Sequence, residues 1–218
     1  MRDRVPNDVN LPNAITTLRV LLAPVVTVLL FESSASVRLI AFIVFLVAAL
    51  SDLVDGALAR RRSEVTDFGK LVDPLADKLL LVATLIPFYL LTLRLPELGQ
   101  LPLFGGISLW VLVVFFGREL LITWLRTAAA RRGIVVPATT LGKRKALAQN
   151  IFIGSMILWL AYRTAVVEKG WAGPLNDFWA GLHGWFTTIS LIVALALTVV
   201  SLVVYVSNFR RVLGGNAV

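Results

Sequence analysis

The chain has 218 residues, of which 58% are hydrophobic, and its mean hydropathy is +0.84. This composition excludes a water-soluble globular domain and indicates an integral membrane protein, because a spanning helix needs about 20 mostly apolar residues. The formal net charge is +8, but basic residues in a membrane protein report topology and contact with anionic lipid, so nucleic-acid binding is not expected. The absence of cysteine excludes disulfides and, with a single histidine, argues against a zinc site.

Apolar runs along the chain predict six membrane-spanning helices joined by short connections. The predicted spans cover residues 14–31, 37–59, 69–92, 105–130, 147–162 and 184–206. We therefore expect an all-α fold, a polytopic bundle of six transmembrane helices over residues 14–207. A polar interfacial segment at 1–13 precedes it and a cytoplasmic tail at 208–218 follows it. An even number of spans puts both termini on the same side of the membrane.

Lys and Arg residues are divided unequally between the two predicted sides. Thirteen lie on the side that holds the termini and the connections after spans two and four. Four lie on the other side: Arg38, Arg94, Arg163 and Lys169. Because positively charged segments tend to stay in the cytoplasm, we expect both termini to be cytoplasmic. The expected location is the inner (plasma) membrane, crossed several times.

Four aspartates flank the predicted connection between spans two and three. Asp52 and Asp55 are three residues apart, and Asp73 and Asp77 are four apart, so in helices each pair projects from one face. A carboxylate within a membrane helix costs about 2.5–3.5 kcal/mol on insertion scales, and such residues are usually functional. Hard divalent cations such as Mg2+ prefer oxygen ligands of this kind. The pattern favours a metal site at the cytoplasmic edge over a set of salt bridges with neighbouring basic residues.

The stretch from residue 52 to residue 77 matches the pattern D-x2-D-G-x2-A-R-x8-G-x3-D-x3-D at every fixed position. These positions are Asp52, Asp55, Gly56, Ala59, Arg60, Gly69, Asp73 and Asp77. With this signature the chain resembles the CDP-alcohol phosphotransferase family, membrane enzymes that build phospholipid head groups. The resemblance implies transfer of a phosphoryl-linked group from a CDP-activated donor to a hydroxyl, with CMP as the leaving group.

The resemblance also implies roles for individual residues. Asp52, Asp55 and Asp73 are expected to hold metal ions, two Mg2+ or Mn2+. Asp77 is expected to contribute to the metal site and to act as the catalytic base that accepts the proton of the acceptor hydroxyl. The residues expected to contact the CDP group are Asp52, Gly56, Arg60 and Thr66.

The resemblance extends beyond the signature to residues 10–24, 66–80, 117–120 and 142–149. These stretches are similar to the branch of the family that transfers phosphatidyl from CDP-diacylglycerol to sn-glycerol 3-phosphate. A phosphorylated acceptor needs cations beyond the metal site, as donors of charge-assisted hydrogen bonds. The basic candidates are Arg118, Arg126, Lys143 and Lys145, with Arg118 and Lys143 first. Arg118 is assigned to phosphate rather than to Glu119, because adjacent residues on a helix do not face each other.

Two further polar features lie near the ends of predicted spans. Thr16, Thr17 and Arg19 form a polar patch at the opening of the first span. His183 lies at the start of the last span, on the far side, where an interfacial role is favoured over metal binding. We assign no catalytic role to either feature.

Other functions would account for part of the pattern. A cardiolipin synthase that uses phosphatidylglycerol, or an inositol-phosphate transferase, would perform the same chemistry with another acceptor. A cation transporter would use the aspartates as an ion path, but transporters place sites near the midplane and often have repeated halves, whereas these acids cluster at one interface and no repeat is found. A catalytically inactive scaffold is disfavoured because no signature position is missing. The sequence does not specify the oligomeric state, although a small bundle of this type in membrane lipid is compatible with a homodimer.

Overall fold

The structure, a computed structural model, describes the backbone of residues 11–62, 67–131 and 140–213, and the side chains of residues 16–51, 78–131 and 140–212. Within these residues the chain is all-helical, which confirms the predicted class. The helices are α1 (Leu11–Phe31), α2 (Ala35–Arg62), α3 (Asp67–Arg94), the short α4 (Pro96–Gly99), α5 (Leu109–Ala130), α6 (Thr140–Lys169) and α7 (Pro174–Leu213).

The long helices coincide with the predicted spans except at their ends. The fifth predicted span, 147–162, is the apolar middle of α6, and the sixth, 184–206, is the middle of α7. Hydropathy marks only the apolar part of a helix, whereas the backbone hydrogen bonds continue through flanking polar residues. The fourth span was predicted from residue 105, but Leu101 and Gly105 pair in a tight turn and α5 begins only at Leu109.

By length and composition, α6 and α7 are long and apolar enough to cross a membrane. The described apolar parts of α1 and α2 are shorter, at residues 16–31 and 35–51. These findings agree with a membrane protein, and the full count of six spans remains a prediction.

Helix α6 lies at the centre of the packing. It contacts α2 and α7, while α1 contacts α2 and α3. The Phe152 ring of α6 lies between Phe88 of α3, with ring centroids 6.4 Å apart, and Phe115 of α5, at 6.3 Å. All three rings are almost completely buried, and such aromatic pairs contribute packing beyond their buried area. Helices α3, α5 and α6 are therefore joined through one aromatic cluster.

A buried arginine joins α1, α2 and α6 near the opposite end of α6 from Thr140. Arg38 in α2 is 1% exposed, and its Nε donates a hydrogen bond to the Leu30 carbonyl at 3.3 Å. Its guanidinium also donates to Thr164 Oγ1 on α6. The Ala35 N–H donates to the Glu168 carboxylate at 2.9 Å, which satisfies a free donor in the first turn of α2. The sequence indicates only a far-side charge at Arg38, whereas the fold uses it to hold three helices together.

Candidate functional site

The four signature aspartates lie on two helices that both pack against α1. Helix α2 carries Asp52 and Asp55, and α3 carries Asp73 and Asp77. The side chains of these four residues lie outside the described residues, as do that of Arg60 and the whole of Thr66, so the roles predicted for them and for Gly56 remain predictions. Where side chains are described, no three His, Cys, Asp or Glu residues form a group that would hold a metal.

A polar cavity of about 130 Å³ adjoins the aspartate-bearing segments. Its charged and amide lining residues are Arg19, Lys78, Glu119, Lys145, Gln149 and Asn150. Ala49 of α2 also lines the cavity and precedes Asp52 by one helical turn, while Lys78 of α3 directly follows Asp77. Along the backbone, the cavity is thus within about one turn of an aspartate on each helix.

Glu119 on α5 links two of the basic residues near this cavity. Its Oε1 accepts a hydrogen bond from Arg118 Nη1 at 2.9 Å and another from Lys145 Nζ on α6. Lys145 is 6% exposed, so this charge pair is largely removed from solvent. Removing one partner of such a pair is destabilising, because the other charge is left buried.

The prediction that Arg118 would not pair with Glu119 is wrong. The Cβ atoms of adjacent helical residues diverge, but the arginine side chain is long enough to bend back to the neighbouring carboxylate. Arg118 is mostly buried, with 12% of its side chain exposed. Its guanidinium therefore contacts Glu119, which lines the cavity, but does not itself line the cavity.

A second polar link joins α3 to α5. Lys78 Nζ donates to Thr123 Oγ1 at 2.9 Å, and the Thr123 hydroxyl donates to the Glu119 carbonyl at 2.7 Å. Together with the Glu119–Lys145 pair, these bonds tie α3, α5 and α6 together around the cavity. The cavity walls are held by side chains whose partners are on different helices.

The structure separates the four basic residues predicted to bind the acceptor phosphate. Lys145 lines the polar cavity, and Arg118 contacts Glu119 beside it. Lys143 is exposed and lines a different space, the apolar groove between α2, α6 and α7. Arg126 is exposed on α5 and lines neither space.

The apolar groove has a volume of about 620 Å³. Its walls include Phe42 and Leu50 of α2, Ile151 and Leu158 of α6, and Phe186 of α7. From Lys143 to Leu158, α6 rises by about 22 Å, so the groove follows much of the helix. A long apolar space with Lys143 at one end suits an extended hydrocarbon chain that carries an anionic group.

The groove and the polar cavity adjoin. Ala49, Ala146 and Asn150 line both spaces. Two of these side chains are methyl groups, so little bulk separates the charged cavity from the apolar groove. A molecule with a polar head and an apolar tail would fit across this junction.

His183 lines the groove at the end opposite Lys143. Its ring packs edge-on against Trp159, with centroids 5.5 Å apart, and lies near Tyr162 and Trp179. Nε2 is 3.3 Å from the Ser155 carbonyl oxygen. His183 therefore belongs to an aromatic cluster formed by residues of both α6 and α7.

Several cavity residues were not selected from the sequence as site residues: Arg19, Lys78, Glu119, Gln149 and Asn150. One signal was available for α6, where Lys145 and Gln149 are four residues apart and therefore share a face. Both face the interior, at 6% and 5% exposure. The contributions of α1, α3 and α5 depend on tertiary packing, which helical periodicity does not specify.

Comparisons with known proteins give a consistent match. A family model described as CDP-alcohol phosphatidyltransferase matches residues 9–200. A probable phosphatidylglycerophosphate synthase of Mycobacterium tuberculosis (strain H37Rv) is 35% identical over 209 residues, covering 94% of this chain and 84% of that protein. A CDP-diacylglycerol–glycerol-3-phosphate 3-phosphatidyltransferase of Bacillus subtilis (strain 168) is 37% identical over 161 residues, covering 68% and 77%. An identically described protein of Rickettsia bellii is 31% identical over 151 residues, covering 69% and 76%.

Proposed function

Because the chain belongs to the CDP-alcohol phosphatidyltransferase family, we propose that it transfers the phosphatidyl group of CDP-diacylglycerol to the hydroxyl of sn-glycerol 3-phosphate. The products are phosphatidylglycerol phosphate and CMP. Relatives whose names state this reaction, or name the corresponding synthase, cover two thirds or more of the chain. The observation that carries the choice of acceptor is the charge of the polar cavity.

The cavity suits a small phosphate monoester. Among the described lining residues, Arg19, Lys78 and Lys145 are cationic and Glu119 is anionic, so positive charge exceeds negative charge by two in this part of the wall. A phosphate monoester carries about −1.5 to −2 at neutral pH. A cavity of about 150 Å³ holds a molecule the size of benzene, so this one, at about 130 Å³, suits a small head rather than a second lipid. These features favour glycerol 3-phosphate over phosphatidylglycerol as acceptor.

The signature aspartates are the proposed metal site. Asp52, Asp55 and Asp73, with a contribution from Asp77, would hold two divalent cations, Mg2+ or Mn2+, and carboxylate oxygens are the ligands that these ions prefer. When bound, such ions neutralise a diphosphate and favour departure of the CMP phosphate. Asp77 would accept the proton of the attacking acceptor hydroxyl.

The donor would lie across the junction of the two spaces. Its CDP group would contact Asp52, Gly56, Arg60 and Thr66. Its acyl chains would lie in the apolar groove, where Lys143 is at the end nearer the charged cavity. The acyl chains are already out of water in the bilayer, so the groove would contribute van der Waals packing to donor binding rather than hydrophobic energy.

The proposed setting is the inner (plasma) membrane, crossed by six spans, with both termini and the aspartates facing the cytoplasm. The excess of Lys and Arg on the termini side supports this orientation, and water-soluble glycerol 3-phosphate would reach the site from that side. A homodimer stays a prediction, which the mass of the purified protein in detergent would test.

The test is an acceptor assay on purified protein with Mg2+ and CDP-diacylglycerol. We expect CMP release and phosphatidylglycerol phosphate with sn-glycerol 3-phosphate, and little product with phosphatidylglycerol or inositol phosphate. Asp77→Asn should abolish product, whereas the matched Asp177→Asn change, on an exposed position of α7, should not. Preference for another acceptor would contradict the proposed reaction, and cation flux through liposomes without CMP release would indicate a transporter.

A further inference from the structure

Gln149 is a buried amide in the wall of the polar cavity. It lies one helical turn after Lys145 on α6 and is 5% exposed. Its Nε2 has no hydrogen-bond partner among the residues that the structure describes. Burying an amide donor without a partner is unfavourable, so such a group in a cavity wall points to a ligand that supplies the acceptor.

The cavity wall offers different hydrogen-bond partners to the phosphate and to the hydroxyl groups of such a ligand. Cationic side chains form the strongest hydrogen bonds to phosphate, and the cavity has three of them, including Lys145. A neutral carboxamide is a weaker partner for phosphate. It carries both N–H donors and a carbonyl acceptor, so it matches a hydroxyl, which also donates and accepts.

We propose that Gln149 binds the non-reacting hydroxyl of the acceptor, the C2 hydroxyl of sn-glycerol 3-phosphate. This inference rests on the proposed function, because it takes glycerol 3-phosphate as the acceptor. In that molecule the C2 hydroxyl lies between the phosphate on C3 and the C1 hydroxyl that attacks. Gln149 follows Lys145 on the same face of α6, so the amide can bind the middle of the molecule while Lys145 binds its phosphate. Gln149 is thus a specificity residue and not the base.

The test compares two acceptors, sn-glycerol 3-phosphate and 3-hydroxypropyl phosphate, which lacks the C2 hydroxyl. We expect the wild-type enzyme to prefer glycerol 3-phosphate by about tenfold in kcat/KM, as one neutral hydrogen bond allows. Gln149→Met keeps the side-chain length but removes the amide. It should lower kcat/KM for glycerol 3-phosphate about tenfold, leave that for the analogue nearly unchanged, and so abolish the preference. The KM for CDP-diacylglycerol should change less than twofold.

Two further variants control the experiment. Gln100→Met, on an exposed position near α4, should retain the full preference. Gln149→Asn keeps the amide on a shorter side chain and should show an intermediate preference for glycerol 3-phosphate. This variant also tests the inference if Gln149→Met does not fold. A Gln149→Met enzyme that still prefers glycerol 3-phosphate tenfold, or that loses activity equally on both acceptors, would overturn the inference. A wild-type enzyme that makes no product from either acceptor would instead contradict the proposed function.

Discussion

At the scale of single residues, the Glu119–Lys145 pair has the clearest consequences. It connects α5 to α6 beside the cavity, and it positions the ammonium group of Lys145, a residue that is only 6% exposed. A flexible lysine loses rotamer freedom when it is held in this way. This entropy is lost when the protein folds and not when the acceptor binds. The ammonium group would therefore already be oriented for an anionic acceptor.

Lys145→Met and Arg126→Met should therefore differ sharply in their effects. A hydrogen bond to a charged group is worth about 1.5–3 kcal/mol, so losing Lys145 should raise the KM for glycerol 3-phosphate by roughly ten- to a hundredfold. Arg126 is exposed outside the cavity, and its loss should change that KM less than about twofold. Steady-state kinetics with saturating CDP-diacylglycerol provide the measurement. Equal effects of the two substitutions would show that the cavity is not the acceptor site.

The sequence predicted some of these residues and not others, for a physical reason. The need of a phosphate for cations predicts Lys145 together with Arg118, Arg126 and Lys143, and of these four Lys145 alone lines the cavity. The aspartates follow from the cost of carboxylates in a membrane, and their role stays a prediction. Glu119 could not be assigned because its partner is 26 residues away on another helix. Gln149 could not be assigned either, because an amide acquires a role only when neighbouring helices bury it.

At the scale of helices, apolar runs predicted the existence of each long helix, since a stretch of about 20 apolar residues has few other stable conformations in a membrane. They did not predict where α6 and α7 end. The polar first turns of α6 carry Lys143 and Lys145, so the part that hydropathy overlooks lines both the groove and the cavity. The proposed site residues of α6 thus lie where the helix extends beyond its apolar stretch.

Narrowing the groove should weaken donor binding selectively. Ile151→Trp adds a large ring to the wall that α6 contributes, so it should raise the KM for a long-chain CDP-diacylglycerol more than that for a short-chain one. Ile192→Trp places the same ring on an exposed position of α7 outside the groove, and it should alter neither KM. If Ile151→Trp affected both donors equally, the acyl chains would not occupy the groove.

The Arg38 junction should be a stability determinant without a catalytic role. Arg38→Leu removes hydrogen bonds between a charged group and two other helices, which should lower the free energy of unfolding by about 1.5–3 kcal/mol. Thermal unfolding in detergent should show a clear decrease in Tm for this variant and almost none for Arg210→Leu, at an exposed position. An unchanged Tm would mean that the Arg38 hydrogen bonds do not stabilise this junction.

At the scale of the whole molecule, the orientation of the helices decides which compartment supplies the acceptor. The natural chain contains no cysteine, so single cysteines report position without background. On intact cells, a membrane-impermeant maleimide should label Glu97→Cys and should label Ala217→Cys only after permeabilisation. Labelling of Ala217→Cys but not of Glu97→Cys in intact cells would reverse the orientation, and labelling of both would mean an even number of spans between them instead of the predicted three.

The junction formed by Ala49, Ala146 and Asn150 has a consequence for turnover. Since the groove adjoins the charged cavity, a newly made lipid can withdraw sideways into its own leaflet while CMP diffuses away into the aqueous phase. With the acyl chains in the groove as proposed, the two products would leave by separate routes. Bulky side chains at this junction would slow release of the lipid product, so that lipid release rather than bond breaking would limit the rate of turnover.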